Sequence, residues 1–262
     1  MLLPGVAGAD NLQPFYDIIS DAIRSVDKNH IIMYEPVTWG MIFNGTVSGS
    51  GFTAVPGGDN FKNTSLFSFH YYCWWFTDGG ELDKETCDEM FGPKVFSQVE
   101  EDISNVGGSM MLTEWGQGCD PASGLVDECN AIMNLADTYL TSWVSWYFFP
   151  NVNVWYVPPQ SIDVFSRTYA KRIAGVPSLM KFNATNLQFD LCYSINPSVT
   201  EPTEIYANFA LHYPSGVLVR VGGGASQAIT VSVQESDNLI YLYFNKSTSI
   251  TNENCCIGIS KR

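Results

Sequence analysis

Residues 66–72 (LFSFHYY), 94–106 (KVFSQVEEDISNV) and 110–114 (MMLTE) form the stretch of sequence that decides the fold. The first and third are short, mostly apolar runs that predict buried strands, and the second carries its apolar residues at helical spacing. A strand, a helix and another strand in this order predict a parallel βαβ unit. We therefore expect an α/β fold around this segment.

The same alternation continues on both sides of this unit. It predicts a helix over 11–26 and a strand over 31–34 upstream, and a helix over 126–140, a strand over 143–149 and a closing helix over 163–174 downstream. About four βα units follow one another, and four units are half of an eightfold barrel. The sequence thus predicts the C-terminal half of a (β/α)8 TIM barrel.

The character of the sequence changes after residue 176. Short β-rich runs alternate there with turns rich in glycine, proline and serine. The predicted strands are 187–194, 204–211, 217–221, 229–233 and 239–244. The sequence therefore predicts two domains, the half barrel over 1–176 and a small antiparallel β-sandwich domain over 177–262.

The composition excludes some classes of function. The formal net charge is -14, from 27 acidic and 13 basic residues, and this balance repels phosphate backbones. No apolar stretch reaches the roughly 18 to 20 residues that a membrane-spanning helix needs. Aromatic residues make up 14% of the chain, and flat rings suit stacking against sugars or acyl chains as well as core packing. We therefore expect no nucleic-acid partner and no transmembrane segment.

The seven cysteines indicate disulfides and not a zinc site, because they lack paired CxxC spacings and companion histidines. The first pair that we expect to be bridged is Cys119 with Cys129, whose nine intervening residues form a short loop. We expect no metal and no cofactor.

Glycosylation sequons begin at Asn44, Asn63, Asn183 and Asn245. Together with disulfides they predict a secreted glycoprotein, extracellular or in the lysosomal and secretory pathway. Residues 1–25 show no basic start followed by an apolar run, as a signal peptide would. We therefore expect an N-terminal segment that this sequence does not include.

Polar side chains stand at the ends of three predicted strands. Glu35 follows the strand over 31–34, His70 and Tyr72 end the strand over 66–72, and Glu114 ends the strand over 110–114. In a βα barrel the C-terminal ends of the strands converge on the active site. A carboxylate that ends an apolar strand must find partners or take part in chemistry, because its unpaired burial costs several kcal/mol. These side chains are therefore candidate site residues.

Several of these segments resemble a known family. Residues 112–116 (LTEWG), 69–72 (FHYY) and 142–146 (SWVSW) resemble the seventh, sixth and eighth strands of glycoside hydrolase family 5. Within that family, the resemblance is to endoglycoceramidases. It rests on residues 3–8 (LPGVAG), 11–16 (NLQPFY) and 35–40 (EPVTWG). The match runs from residue 2 to about residue 176, and the sandwich matches only in position and type.

The resemblance implies hydrolysis of the O-glycosidic bond between oligosaccharide and ceramide in glycosphingolipids. In such retaining enzymes one carboxylate attacks the anomeric carbon and a second, roughly 5 Å away, protonates the leaving oxygen. Glu114 matches the attacking residue. Tyr72 matches the tyrosine that hydrogen-bonds the nucleophile, and His70 matches the histidine beside it.

The resemblance also implies substrate-binding residues. Trp146 is the preferred sugar platform and Trp143 the alternative, since two residues three positions apart cannot share a strand face. Glu35 and Trp39 match the fifth strand and are expected to line the cleft. His30 and His212 lie elsewhere in the predicted fold, which leaves His70 as the histidine placed for catalysis.

The acid/base glutamate of the family ends the fourth strand, which we expect upstream of residue 1. The chain alone is therefore expected to be inactive. Two alternatives remain open from the sequence. One is a related β-glucosidase, glucanase or glucosylceramidase with a different substrate, and the other is a non-catalytic remnant that binds carbohydrate or lipid.

Overall fold

The structure of the chain is a computed structural model. It describes residues 4–38, 42–43, 46–72, 85–116, 119, 126–146, 159–248 and 253–262. The chain divides into two compact units, Met1–Phe149 and Pro150–Arg262. The first unit carries every candidate site residue that the sequence indicates.

The first unit alternates helices and strands as the apolar patterns predict. Its helices are α1 (Pro4–Ala7), α2 (Gln13–Arg24), α3 (Gly92–Val106) and α4 (Val126–Thr138), with π-helical turns at Gly8–Leu12 and Thr86–Phe91. Its strands are β1 (Ile32–Tyr34), β2 (Ile42–Phe43), β3 (Thr46–Val47), β4 (Ser65–Tyr71), β5 (Ser109–Trp115) and β6 (Ser142–Ser145).

Four of these strands form one parallel sheet in the order β1-β4-β5-β6. The sheet follows the order of the sequence, as successive βα units of a barrel do. Alternate residues of β4 pack beneath α3, where the ring of Phe96 contacts Phe69 and Tyr71 at centroid distances of 5.3 and 6.1 Å. All three side chains are fully buried. The other face of β4 is therefore free to carry polar groups.

The second unit is a β-sandwich preceded by helix α5 (Pro159–Phe165). Its strands are β7 (Tyr169–Arg172), β8 (Gly175–Asn183), β9 (Gln188–Ile195), β10 (Thr203–Tyr206), β11 (Val217–Gly222), β12 (Ile229–Gln234), β13 (Leu239–Phe244) and β14 (Asn254–Lys261). They form two antiparallel sheets in the orders β12-β13-β10-β7 and β11-β14-β9-β8. Inward residues such as Leu191, Ile205, Ile240 and Ile257 make up its core.

These sheets confirm the predicted fold class, half of a (β/α)8 barrel followed by an antiparallel sandwich. The predicted helix over 163–174 is wrong beyond residue 165, because α5 ends at Phe165 and Tyr169–Arg172 forms β7. Ala170 and Ile173 pack on the sandwich core, and β7 pairs with β10. Burial in the sandwich thus overrides the helical pattern.

The division of the chain also lies earlier than the expected boundary at residue 176. The second unit begins at Pro150, and β7 and the start of β8 already belong to its sheets. Because of Pro177, the sequence did not indicate strand β8. The proline is tolerated there because β8 is an edge strand with a bulge beside the proline.

Candidate active site

Three neighbouring strands bring polar side chains to one end of the parallel sheet. Glu35 follows β1, His70 is the penultimate residue of β4, and Glu114 is the penultimate residue of β5. Parallel strands end at the same edge, so residues that are far apart in the sequence meet there. The backbone N–H of Glu35 donates to the Tyr16 hydroxyl of α2 at 3.3 Å, which ties the end of β1 to the helix before it.

His70 lies between two carboxylates. Its Nε2 is 3.0 Å from Oε1 of Glu35, and its Nδ1 is 3.1 Å from Oε2 of Glu114. Both are close contacts between a ring nitrogen and a carboxylate oxygen, and Oε1 of Glu35 accepts no hydrogen bond from the ring. The exposed fraction of the side chain is 19% for His70, 33% for Glu35 and 25% for Glu114, so a ligand can reach all three.

Tyr72 holds the nucleophile candidate from the other side. Its hydroxyl donates to Oε1 of Glu114 at 2.7 Å, so that the two carboxylate oxygens have different partners. Burial, followed by this hydrogen bond, raises the pKa of Tyr72 well above its ordinary value. The hydroxyl therefore remains a donor at any pH at which an enzyme works.

A β-bulge turns Glu114 toward this cluster. The register pairs Phe69 with Leu112 but His70 with Glu114, so Thr113 is an extra residue in β5. Leu112 and Trp115 are both fully buried, although strict alternation would put them on opposite faces. The extra residue moves Glu114 to the face of His70. Strict alternation would have put the charged Glu114 on the buried face of Leu112, and this conflict was the signal in the sequence.

The two candidate sugar-platform tryptophans have different surroundings. Trp143 packs edge-on against buried Trp115, at a centroid distance of 5.3 Å. Trp146 follows β6, its backbone N–H donates to the Trp115 carbonyl, and its side chain is 59% exposed. An exposed indole is the better stacking surface for a sugar, which favours Trp146. Trp39 lies outside the described residues.

Gly116 is required at the end of β5. Its φ is +139°, and a Cβ atom there would lie 2.6 Å from the carbonyl oxygen of Trp146. The glycine thus allows the backbones that follow β5 and β6 to approach closely.

The predicted disulfide between Cys119 and Cys129 is present, with its Cα atoms 5.8 Å apart. It ties the segment that follows β5 to the first turns of α4. A second disulfide joins Cys192 and Cys256 across β9 and β14. Cys255, beside it, is a buried free thiol.

The remaining histidines lie outside this cluster. His30 is exposed and contacts Asp27. His212 is buried in the second unit, where its Nε2 lies 2.9 Å from the Ser166 hydroxyl. Burial lowers the pKa of His212.

Within the described part of the chain, no group of His, Cys, Asp and Glu side chains is arranged to hold a metal ion. Glu35 and Glu114 contact opposite ring nitrogens of His70, so the three side chains do not converge on one point. None of the described helices is long and apolar enough to cross a membrane.

Two family models match the chain, and it is similar to several known proteins. The model described as cellulase (glycosyl hydrolase family 5) matches residues 4–151, and the glycoside hydrolase family 5 C-terminal domain matches residues 167–255. The chain is 29% identical over 238 residues to an endoglycoceramidase of Cyanea nozakii, covering 84% of this chain and 43% of that protein. It is also 29% identical over 266 residues to an endoglycoceramidase of Hydra vulgaris, covering 96% of this chain and 46% of that protein.

Among solved structures, the chain is similar to endo-glycoceramidase II from Rhodococcus sp. in its ganglioside GM3 complex. The TM-score is 0.76 at 19% identity, over 100% of this chain and 56% of that chain. At this identity the likeness shows the fold. The chain spans less than half the length of the two curated relatives. Because one family model matches more than half of the chain and includes the whole cluster around His70, the chain belongs to glycoside hydrolase family 5.

Proposed function

We propose that Glu114 is the nucleophile of a retaining glycoside hydrolase that cleaves the bond between oligosaccharide and ceramide in glycosphingolipids. The carboxylate attacks the anomeric carbon and forms a glycosyl ester, which water then hydrolyses. The acid/base residue that protonates the leaving oxygen belongs to the enzyme as a whole and is not assigned to any residue of this chain.

The observation that carries the proposal is the way in which Glu114 is held. Tyr72 contacts Oε1 and His70 contacts Oε2, so the carboxylate is fixed in rotation while its side chain stays partly exposed. A nucleophile needs this combination, since it must be oriented and must still reach the substrate. A carboxylate that served only the stability of the fold would gain nothing from exposure.

Glu35 does not have the geometry of the second catalytic carboxylate. Glu35 and Glu114 contact different nitrogens of the His70 ring, at 3.0 and 3.1 Å, so the imidazole occupies the space between the two carboxylates that a glycosidic bond would need. Inverting enzymes use a wider spacing of about 6.5 to 9.5 Å, but they place a water in the space that the imidazole ring fills here. We therefore assign Glu35 to the lining of the cleft and to contact with His70.

The substrate class is supported by the relatives and by the exposed aromatic surface. Both curated relatives are named endoglycoceramidases, and the solved relative is in complex with ganglioside GM3. Exposed Trp146, just past the end of β6, offers a flat ring for a sugar face. A glycolipid is the ligand that fits these observations.

The test uses the full-length product of the gene and three variants, Glu114→Gln, Glu35→Gln and Glu128→Gln. Oligosaccharide release is measured from a fluorescent glycosphingolipid, with a sterol glucoside and a β-glucan as competing substrates. Glu114→Gln should lose several orders of magnitude in turnover at unchanged melting temperature, because an amide cannot form the glycosyl ester. Glu35→Gln should lose much less, and Glu128→Gln, a buried helix position in α4, should keep its turnover.

Other outcomes would count against the proposal. Equal losses in Glu35→Gln and Glu114→Gln, with weakly basic leaving groups rescuing only the Glu35 variant, would identify Glu35 as the acid. Preferential cleavage of the sterol glucoside or the β-glucan would keep the chemistry and replace the substrate.

We also propose that the protein passes through the secretory pathway and carries N-linked glycans. Disulfides, among them Cys119–Cys129 and Cys192–Cys256, and the exposed sequon asparagines Asn63, Asn183 and Asn245 support this proposal. Glycan removal from protein isolated from its natural source should lower its mass. An unchanged mass would refute glycosylation.

A further inference from the structure

Strand β5 contains one more residue than β4 and β6 over the same stretch of pairing. Opposite β4, the register passes from Leu112 to Glu114 while the partner advances only from Phe69 to His70. Opposite β6, it passes from Leu112 to Trp115 while the partner advances two residues. Both neighbours therefore locate the same extra residue in β5, between Leu112 and Trp115. Bulges are rare between parallel strands, so this one needs a local cause.

The bulge decides which face of the sheet carries Glu114. In an unbroken ladder His70 would pair with Thr113, and Glu114 would pair with Tyr71. Tyr71 is buried on the helix side, where its hydroxyl donates to the Cys87 carbonyl at 3.1 Å. Glu114 would then point into the apolar layer beneath α3 and away from His70 and Tyr72.

The hydroxyl groups of Thr113 and Ser68 hold Thr113, the extra residue of β5, in place. The Thr113 hydroxyl donates to the carbonyl oxygen of Phe69 at 3.3 Å, at the point where the register shifts. The Ser68 hydroxyl lies 2.5 Å from the Thr113 hydroxyl. Because Thr113 donates to Phe69, Ser68 is the donor to Thr113. Ser68 is buried, so water competes little for this chain of hydrogen bonds.

We propose that Thr113, supported by Ser68, is a positioning residue that holds the bulge and thereby directs Glu114 to the substrate. The proposal rests on the proposed role of Glu114 as nucleophile. Thr113 acts through Glu114 and does not itself touch the reacting atoms. The Thr113 hydroxyl holds the bulge, and the γ-methyl group has no part in this role.

The test compares Thr113→Val, which keeps the shape and removes the hydroxyl, with Thr113→Ser, which keeps the hydroxyl. Thr141→Val is the matched control, because the buried Thr141 hydroxyl also donates to a β5 carbonyl, that of Met110, at 3.1 Å and away from the bulge. The first readout is inactivation by a dinitrophenyl 2-deoxy-2-fluoroglycoside, whose leaving group needs no acid.

Thr113→Val should be inactivated at least tenfold more slowly at saturating reagent, with the half-saturating concentration changed less than threefold. Thr113→Ser and Thr141→Val should stay within threefold of the wild-type rate. If the Thr113 hydroxyl served only the stability of the fold, Thr113→Val and Thr141→Val would both have lower melting temperatures, and their inactivation rates would be the same. Equal rates for Thr113→Val and Thr141→Val would overturn the proposal.

The second readout does not depend on chemistry at Glu114. The ring ¹⁵N shifts of His70 report its contact with Glu114, and they should change in Thr113→Val but not in the two other variants. If the wild-type protein is not labelled on Glu114, the proposed function fails, and the His70 spectrum still decides the role of Thr113. If Thr113→Val does not fold, Ser68→Ala takes its place, and an unchanged His70 spectrum in that variant would refute the proposal.

Discussion

Removal of the Tyr72 hydroxyl tests how the nucleophile is held. In Tyr72→Phe, Oε1 of Glu114 loses its 2.7 Å donor, and the carboxylate is held only through Oε2 by His70. A hydrogen bond to a charged group contributes about 1.5 to 3 kcal/mol. Because Glu114 is partly exposed, water replaces some of the loss, and we take the lower half of this range.

In Tyr72→Phe, the second chemical step, in which water hydrolyses the glycosyl ester, should slow more than the first. Glu114 leaves as a carboxylate when water hydrolyses the glycosyl ester, and the Tyr72 hydroxyl stabilises the charge that returns to it. A loss of about 1.5 to 2 kcal/mol slows this step roughly 10- to 30-fold. With a dinitrophenyl glycoside, Tyr72→Phe should therefore release a burst of dinitrophenol followed by a slow steady rate.

Tyr71→Phe is the control for this prediction. Tyr71 is the preceding residue on the opposite face of the sheet, and its hydroxyl bonds the Cys87 carbonyl beneath the helices. This variant should lose some stability, since the Cys87 carbonyl then keeps the Gly92 N–H but loses the buried Tyr71 hydroxyl as a donor, and it should keep the wild-type turnover. A Tyr72→Phe enzyme with both chemical steps within twofold of wild type would refute the reasoning.

Two predictions concern stability. Replacing Cys119 and Cys129 together by alanine should lower the free energy of unfolding by about 2 to 3 kcal/mol, measured by urea denaturation, because the bridge closes a short loop; an unchanged midpoint would contradict it. Burial lowers the pKa of His212 in the folded protein below the 6.5 of the unfolded chain. The neutral ring therefore contributes fully to stability above about pH 6.5, and this contribution is lost as the pH falls toward the pKa of His212 in the folded protein. The melting temperature should fall over this window in the wild type and less in His212→Gln, and equal slopes would show that another group is responsible.

Much of the fold of the first unit could be predicted from the sequence, since each strand is an apolar run and each helix an apolar stripe. The strand over 66–72 and the helix over 94–106 lie within a residue or two of β4 and α3. Burial on one face produces such patterns, and the patterns survive in the sequence. The same strands brought Glu35, His70 and Glu114 to one edge of the sheet.

What the sequence could not show are features that arise from pairing between distant segments. The conflict at Glu114 indicates an irregularity in β5, but only the pairing with β4 and β6 shows that Thr113 is the extra residue, and β7 forms because β10 lies beside it. Strand β14 was also missed, although it has eight residues and alternate residues such as Ile257 and Ile259 are buried. The roles assigned to the site residues remain predictions that kinetics must test.

The most direct test of the central claim is to find the residue that becomes glycosylated. The protein is inactivated with a dinitrophenyl 2-deoxy-2-fluoroglycoside, digested, and mapped by mass spectrometry. If Glu114 is the nucleophile, the added mass lies on Glu114 alone, and Glu114→Gln takes up none. A label on Glu35, or on any residue other than Glu114, would contradict the account.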